Sequence, residues 1–341
     1  MKKDRYMTSR ILTTLAIGSA AILAAGCSSS AASTDSGEGS GDFPSGTMTM
    51  IVPFSAGGPT DLAVRAMAPL IKERTGQTVV TENKPGATGT IGMNYVINSN
   101  PDGLTSAIAC TSSTVVVPVT QENPPYTTDD YRMIGSVTAG PIAFIVNADS
   151  EYQTIEDLLN AAKDSPDTLT VGTSGANSHN SLELRRLSKL YGPTFTEVPL
   201  EGNSAATTAL LAGDIDVAFI SVGDDIPQYM EDGTLRMLAV ASAERSTAEE
   251  LSDVPTLVES GYPDMVNGKS ACGILVPADT PDATVDAFSD ILSDVVGDPA
   301  FGETMGEEKV VDPYLDGDGM TEFFQNQMEA YEGLVGDEAA S

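Results

Sequence analysis

Two turns in this chain could hold an anion without using a cation. The first lies in Ile51-Val-Pro-Phe-Ser-Ala-Gly-Gly-Pro-Thr-Asp-Leu-Ala-Val-Arg65, where an apolar strand passes through a glycine pair into the start of a helix. The second spans Ser174 to Asn180 and again sets glycine and hydroxyls ahead of a helix. A helix begins with backbone N–H groups that have no intrahelical acceptor, and partial positive charge gathers at that end. Gly57 and Gly58 let a carboxylate approach the backbone closely, because no Cβ stands in the way. Thr60 adds a hydroxyl donor. Asp61 reads as a helix N-cap rather than a ligand contact, since its charge repels an anion. Phe54 either walls the pocket or belongs to the core. In the second turn, Ser174, Ser178 and the N–H groups before Asn180 would form an opposing jaw. His179, the one histidine of the chain, either donates to a ligand or to the loop, or holds the loop's geometry. Asp224 follows a strand end; it could grip an ammonium or hydroxyl, or cap the helix at Ile226.

Catalytic chemistry is not expected. A Gly-x-Ser-x-Gly elbow is absent. Ser174 and His179 lie five apart, but capping explains the serines. Cys272 sits in an apolar stretch, which gives no reason for a reactive thiol. One histidine and no cysteine pair at metal-ligand spacing leave no metal site. No set of nucleophile, base and orienting group emerges, and no cofactor is implied.

These turns need a frame, and the sequence supplies one. Met48–Phe54 reads as a strand. The helix after it opens at Thr60 or Asp61, buries Leu62, Ala66, Leu70 and Ile71, should kink at Pro69 and stops at Gly76. Strands follow at Thr78–Glu82 and Thr105–Cys110, separated by a glycine turn, a short helix and the Asn100-Pro-Asp-Gly103 turn. The second half repeats the rhythm. Thr154-Ile-Glu-Asp157 is a capping box for a helix to about Lys163. Thr168–Gly172 is a strand, and Ser178 caps a helix with Leu182, Leu187 and Leu190 inward. Phe195–Pro199, Val217–Ile220 and Met237–Ala241 are strands, with a helix from Asn203 or Ser204 to Gly213. An amphipathic helix with Phe323, Phe324, Met328 and Tyr331 ends the fold. Alternating strands and helices imply an α/β fold with a mostly parallel sheet. There are two α/β units, with chain crossings near Ile142–Val146 and Ala271–Val276, and two crossings make a hinge.

Charge and the N-terminus place the molecule. The chain carries 17 Lys+Arg against 49 Asp+Glu, which repels nucleic acid and anionic lipid head groups. Solubility in an ion-rich medium accounts for this acidity. Residues 1–26 form a targeting segment, a basic start and an apolar run from Ile11 to Ala25 that is too short to span a bilayer. It ends in Leu23-Ala-Ala-Gly-Cys27, which resembles a bacterial lipobox with its leucine one position early; the alternative is a plain secretory signal and an incidental cysteine. Residues 27–46 form a flexible tether rich in Ser, Gly and Ala. Cys110 and Cys272 could pair in an oxidising compartment, or be two small buried residues.

At particular residues the chain resembles a family. Pro53-Phe-Ser-Ala-Gly-Gly-Pro-Thr-Asp61 with Arg65, Glu82-Asn-Lys-Pro-Gly-Ala-Thr-Gly-Thr-Ile-Gly92, Pro101-Asp-Gly103, Val171-Gly-Thr-Ser-Gly-Ala-Asn-Ser-His179, Ala212-Gly-Asp-Ile-Asp-Val-Ala-Phe219, Asp253-Val-Pro-Thr256 with Glu259-Ser-Gly261, and Leu275-Val-Pro-Ala-Asp-Thr-Pro281 run in family order. They are similar to the binding proteins of tripartite tricarboxylate transporters, the TctC or Bug type. The resemblance implies a two-lobed periplasmic-binding-protein-like fold (type II) with mixed, mostly parallel sheets and a ligand cleft. It implies lobe 1 at 47–141 and 273–341, lobe 2 at 142–272, a small organic carboxylate ligand, and delivery to separate membrane permease subunits. In that reading Thr111, Ser112, Gly202, Asn203 and Ser204 close the remaining sides of the cleft. The membrane is reached only through a lipid on Cys27, on the outer face of the cytoplasmic membrane. The same fold and cleft would serve a binding protein that presents its ligand to a sensor kinase. One departure is Pro199-Leu-Glu-Gly202, where the family often carries an aromatic-basic pair. Glu201 there disfavours a tricarboxylate if it faces the cleft, and means nothing if it faces solvent.

Overall fold

A computed structural model describes residues 43–121, 123–223, 225–246, 251–306, 313–331 and 334. The leader, Cys27 and most of the tether lie outside the described residues, as does Asp224. The first half runs β1 (Met48–Val52), α1 (Pro59–Thr75), β2 (Val79–Asn83), a 3-10 turn at Ala87–Gly89, α2 (Thr90–Ile97), β3 (Thr105–Cys110), a wide π-type turn at Ser112–Val116, α3 (Val117–Thr120) and the long β4 (Tyr131–Asn147). Then come α4 (Ile155–Asp164), β5 (Thr170–Thr173), α5 (His179–Tyr191), β6 (Thr196–Pro199), α6 (Asn203–Ala212), β7 (Val217–Ser221), α7 (Asp225–Glu231) and β8 (Leu235–Val240). The chain returns through β9 (Lys269–Pro277) to α8 (Asp282–Val296), α9 (Pro299–Met305) and α10 (Gly317–Tyr331).

One path of paired strands joins two groups, in the order β2-β1-β3-β9-β4-β7-β5-β6, with β8 also on β4. In the first group β1 pairs in parallel with β2 and β3, and β9 runs antiparallel between β3 and the first part of β4. In the second, β5 pairs in parallel with β6 and β7. The second part of β4, from Ile142, pairs antiparallel with β7 and β8. β4 therefore belongs to both groups: Pro141 faces Lys269 of β9, and the next residue, Ile142, faces Ser221 of β7. This is the α/β, two-lobed arrangement expected, but the sheet is not mostly parallel: among the described strands four pairings are parallel and four antiparallel, because β4 and β9 run against every neighbour they pair with. The return crossing differs from the expected Ala271–Val276. β9 is already paired with β4 at Lys269, and Ser242 bridges Asn267, so the chain changes group near Asn267–Lys269.

Strand β1 shows why these segments pair. Met48, Met50 and Val52 face one apolar layer with Val64, Met67 and Ile71 of α1 and with Phe288 and Leu292 of α8. Ile51 faces the other layer, with Met93 and Val96 of α2 and Phe324 of α10. A strand covered on both faces reads as a continuous apolar run. Two helical faces differ from the expected ones. In α1 the buried stripe is Ala63, Val64, Met67 and Ile71, and Leu62 is half exposed. The face packed on β1 and α8 leaves Leu62 outward, and the helix, starting at Pro59, runs through the exposed Pro69 as one helix. In α5 Leu182 and Leu187 are buried, but Leu190 lies on the solvent side of the last turn.

Cys110 and Cys272 face each other across β3 and β9 and form a disulfide, which settles the two readings of that pair. The link closes a loop with a sequence separation of 162 residues, so it restricts the unfolded chain strongly. Cys110→Ala with Cys272→Ala should lower unfolding free energy by about 4 kcal/mol, read from urea denaturation at pH 7.

Candidate functional site

The first jaw begins where β1 runs out. Gly58, in extended conformation, is the N-cap of α1 and offers no side-chain cap. Pro59 has no N–H, so Thr60 and Asp61 carry the N–H groups left uncovered by the helix. Asp61 is not the cap. It is the third helical residue, is buried, and turns back as the acid of a capping box does. Its Oδ2 accepts from Gly57 N (2.9 Å) and from Arg65 Nε (2.8 Å), and its Oδ1 accepts from Asn83 Nδ2 (3.0 Å). Asn83 Nδ2 also donates to Phe54 O at 3.2 Å. Asp61 thus locks the turn, and the Gly57 N–H is committed to it rather than to an incoming anion. The hydrogen bond from Arg65 holds the Asp61 carboxyl down at about 2.

Three segments of the first group converge beside this turn. Gly89 has φ +94, and a Cβ there would lie 3.2 Å from Ser113 Cβ and 3.5 Å from the Phe54 ring. Glycine is what lets the turns after β1, β2 and β3 approach so closely. Phe54 is half-buried and packs on the core, with one ring edge at this junction. Ser112 is half-buried at the start of the π-type turn. Thr111 is different: it is buried, its Oγ1 accepts from Ala271 N (3.1 Å) and lies 3.4 Å from Ala271 O as donor. Following Cys110, it continues the pairing with β9, so its hydroxyl ties strands instead of facing a ligand.

The second jaw is braced by its own helix. Ser178 caps α5 by accepting from Ser181 N at 3.2 Å. Ser174 Oγ donates to Asn180 Oδ1 (2.9 Å), and Asn180 Nδ2 donates to Phe219 O (3.2 Å). Ser181 Oγ and Arg185 Nη2 both donate to Ala176 O, at 2.9 and 3.0 Å. Both serines therefore already hold structural bonds, and the N–H groups of His179 and Asn180 head the helix. Next to this loop, Leu200 N donates to Thr173 O at 3.0 Å. That bond brings Gly202, with φ +92, alongside as the N-cap of α6, again without a side-chain cap. Asn203 and Ser204 open that helix, and Asn203 Oδ1 is buried without a partner. Glu201 is exposed.

His179 is not a ligand donor. Its ring is 3% exposed, and Nε2 lies 3.1 Å from Asn267 O and 2.7 Å from Tyr331 Oη. Burial pushes its pKa down to about 4, so it is neutral near pH 7. Tyr331 is 152 residues away in sequence, and no local pattern announces the pairing. α5 and the π-type turn share an apolar layer: Leu182 lies in the same cluster as Val115 and Val116.

Comparison with known proteins points one way. A family model described as the tripartite tricarboxylate transporter family receptor matches residues 63–338. The chain is 31% identical, over 70% of its length and 68% of the relative's, to the UPF0065 protein in the TAR-I ttuE-ttuC' intergenic region of Agrobacterium vitis. It is 28% identical to a ligand-free TctC solute binding protein from Polaromonas, with a TM-score of 0.75, covering 86% of this chain and 99% of that one. The periplasmic binding protein BugD gives 28% identity and a TM-score of 0.71 over 86% and 98%. Two more distant structures share the fold: MatC of Rhodopseudomonas palustris with bound malate (22%, TM-score 0.70, 86% and 100%) and R. palustris Rpa4515 with adipate (24%, 0.71, 86% and 97%).

The Asp61 network generates a pH signature. Folding lowers this carboxyl's pKa, so its contribution is whole above about pH 4 and is lost as pH falls toward 2. Asp61→Asn should cost about 2 kcal/mol at pH 7, and the variant and wild type should converge by about pH 2 in urea titrations.

Proposed function

This chain belongs to the tripartite tricarboxylate transporter receptor family, and from that premise we propose that it is an extracytoplasmic receptor for a small organic carboxylate. The family's members named above are solute-binding proteins, not enzymes. The observation that carries the ligand class is the capping of three helices. α1, α2 and α6 begin at Gly58, Gly89 and Gly202, none with a side-chain cap. Thr154, by contrast, covers the start of α4 with its own oxygen. An uncovered helix start is a ready acceptor of carboxylate oxygen. Arg65, one helical turn into α1, is paired with Asp61. Capture is then by peptide dipoles, with Thr60, Ser112, Ser174, Ser178, Asn203 and Ser204 as hydroxyl or amide neighbours. Gly57, Phe54 and Thr111 shape the jaws from behind. That the distant relatives with malate and adipate carry carboxylates agrees with this reading.

The lobes would be residues from about 47 to 141 together with β9 and the segments after it, and the intervening chain from 142 to Asn267. Closure between them would trap the ligand and present a face to the membrane permease subunits. We further take Cys27 as the lipid-bearing residue. Among the described residues no helix is long and apolar enough to cross a membrane.

Two measurements check this. In a thermal-shift screen, the true carboxylate at 100 times its Kd should stabilise the protein by about 2.7 kcal/mol. A shift with sugars or metal ions but no acid would overturn the ligand class. Expressed in a bacterial host, the wild type should sediment with membranes, and Cys27→Ala should not; a wild type found free of membranes would refute the anchor.

A further inference from the structure

A buried polar cluster lies where the chain leaves the second group of strands for β9. α5 contributes His179 and Glu183, and α10 contributes Gln327 and Tyr331, each pair one helical turn apart on one face. All four are buried, at 3, 0, 1 and 0% exposure. Between them passes the backbone of Asn267–Lys269. Gln327 Nε2 donates to Asn267 O (2.9 Å) and to Lys269 O (2.8 Å). His179 Nε2 reaches the same Asn267 O, and a carbonyl only accepts, so Nε2 carries the ring's proton. Tyr331 Oη lies 2.7 Å from that nitrogen and 2.5 Å from Glu183 Oε1. It accepts from the imidazole and donates to the carboxyl. Arg186 Nη1 stands 3.5 Å from the same carboxyl oxygen.

α10 rides on the first group of strands: Met320, Phe324 and Tyr331 pack with Ala271, Val115 and Val116. α5 begins with the second jaw. We propose that Tyr331 and Gln327 are positioning residues for ligand capture, by which α10 grips the first turn of α5 and the Asn267–Lys269 crossing and so sets the angle between the lobes. This rests on reading the first turn of α5 as part of the ligand site. Stability alone is a poor account of the cluster. Glu183 Oε2, His179 Nδ1 and Gln327 Oε1 are buried without a hydrogen-bond partner, a cost that an apolar contact would avoid. What a polar contact adds is direction: hydrogen bonds fix an angle, where apolar packing fixes only proximity.

The test needs no ligand, so its outcome is separate from that of the carboxylate screen. Spin labels on keto-bearing residues, placed at the exposed Glu73 of α1 and Asn160 of α4, leave the cysteines untouched and span the two lobes. Electron–electron double resonance on the ligand-free protein should give one narrow distance distribution. Tyr331→Phe keeps the ring and removes the hydroxyl; it should shift or broaden that distribution while near-ultraviolet circular dichroism stays folded. Gln327→Leu should do the same. Glu183→Gln keeps an acceptor for Tyr331 and should retain the parental distribution. Unchanged distances in both Tyr331→Phe and Gln327→Leu would overturn the proposal. So would a Glu183→Gln distribution as broad as that of Tyr331→Phe, since charge burial rather than the tyrosine bond would then set the angle.

Discussion

The first N–H groups of a helix have no acceptor within it, and most of this molecule's design follows from where they are left uncovered. At α4 and α9 a side chain covers them: Thr154 and Asp298 accept from the next turn. At α1, α2 and α6 a glycine stands in the capping position and covers nothing. An anion that arrives there meets donors already aligned, and no side chain has to be ordered first. The surrounding network keeps it so. Asp61, Asn83 and Arg65 hold the first turn; at the second, Ser178 covers one N–H of α5 while Ser181, Asn180 and Arg185 hold the loop ahead of it. These polar groups lie behind the donors and fix their direction.

A rigid jaw is useful only if it can move against its partner. Among the described residues, the two strand groups are joined in the path of paired strands by β4 and the Asn267–Lys269 return. Pairing changes partner between Pro141 and Ile142, so one continuous strand is anchored on both sides of the change. The polar cluster around Asn267 sits at the return crossing, with a helix from each side reaching it. The return crossing and the polar cluster thus lie in the same small region, at the first turn of α5.

Local chemistry was readable from the chain, and distant chemistry was not. Thr154, Ser178 and Gly76 announce helix ends by their own residue types, and each stands where its pattern puts it. Asp61 is ambiguous in sequence because an acid near a helix start suits both the cap and the third helical position. The presence of Pro59 at the first position decides for the latter. Leu62 and Leu190 lie outside the expected faces because the buried side of each helix is set by the strands and helices it packs on, which its own sequence does not show. The role of Thr111 depends on Ala271, and that of His179 on Asn267 and Tyr331, partners more than eighty residues away. No spacing rule reaches that far. The cysteines stand between these cases: their compartment was legible, but their pairing needed the register of β3 on β9.

That covalent link has a consequence for damage. Every residue from Thr111 to Ala271, including the whole of the second strand group and its helices, is enclosed in one closed ring of chain. A protease that nicks any surface loop of that ring severs the polypeptide but not the molecule. The fragments stay tethered through sulfur and part only when a reductant opens the ring.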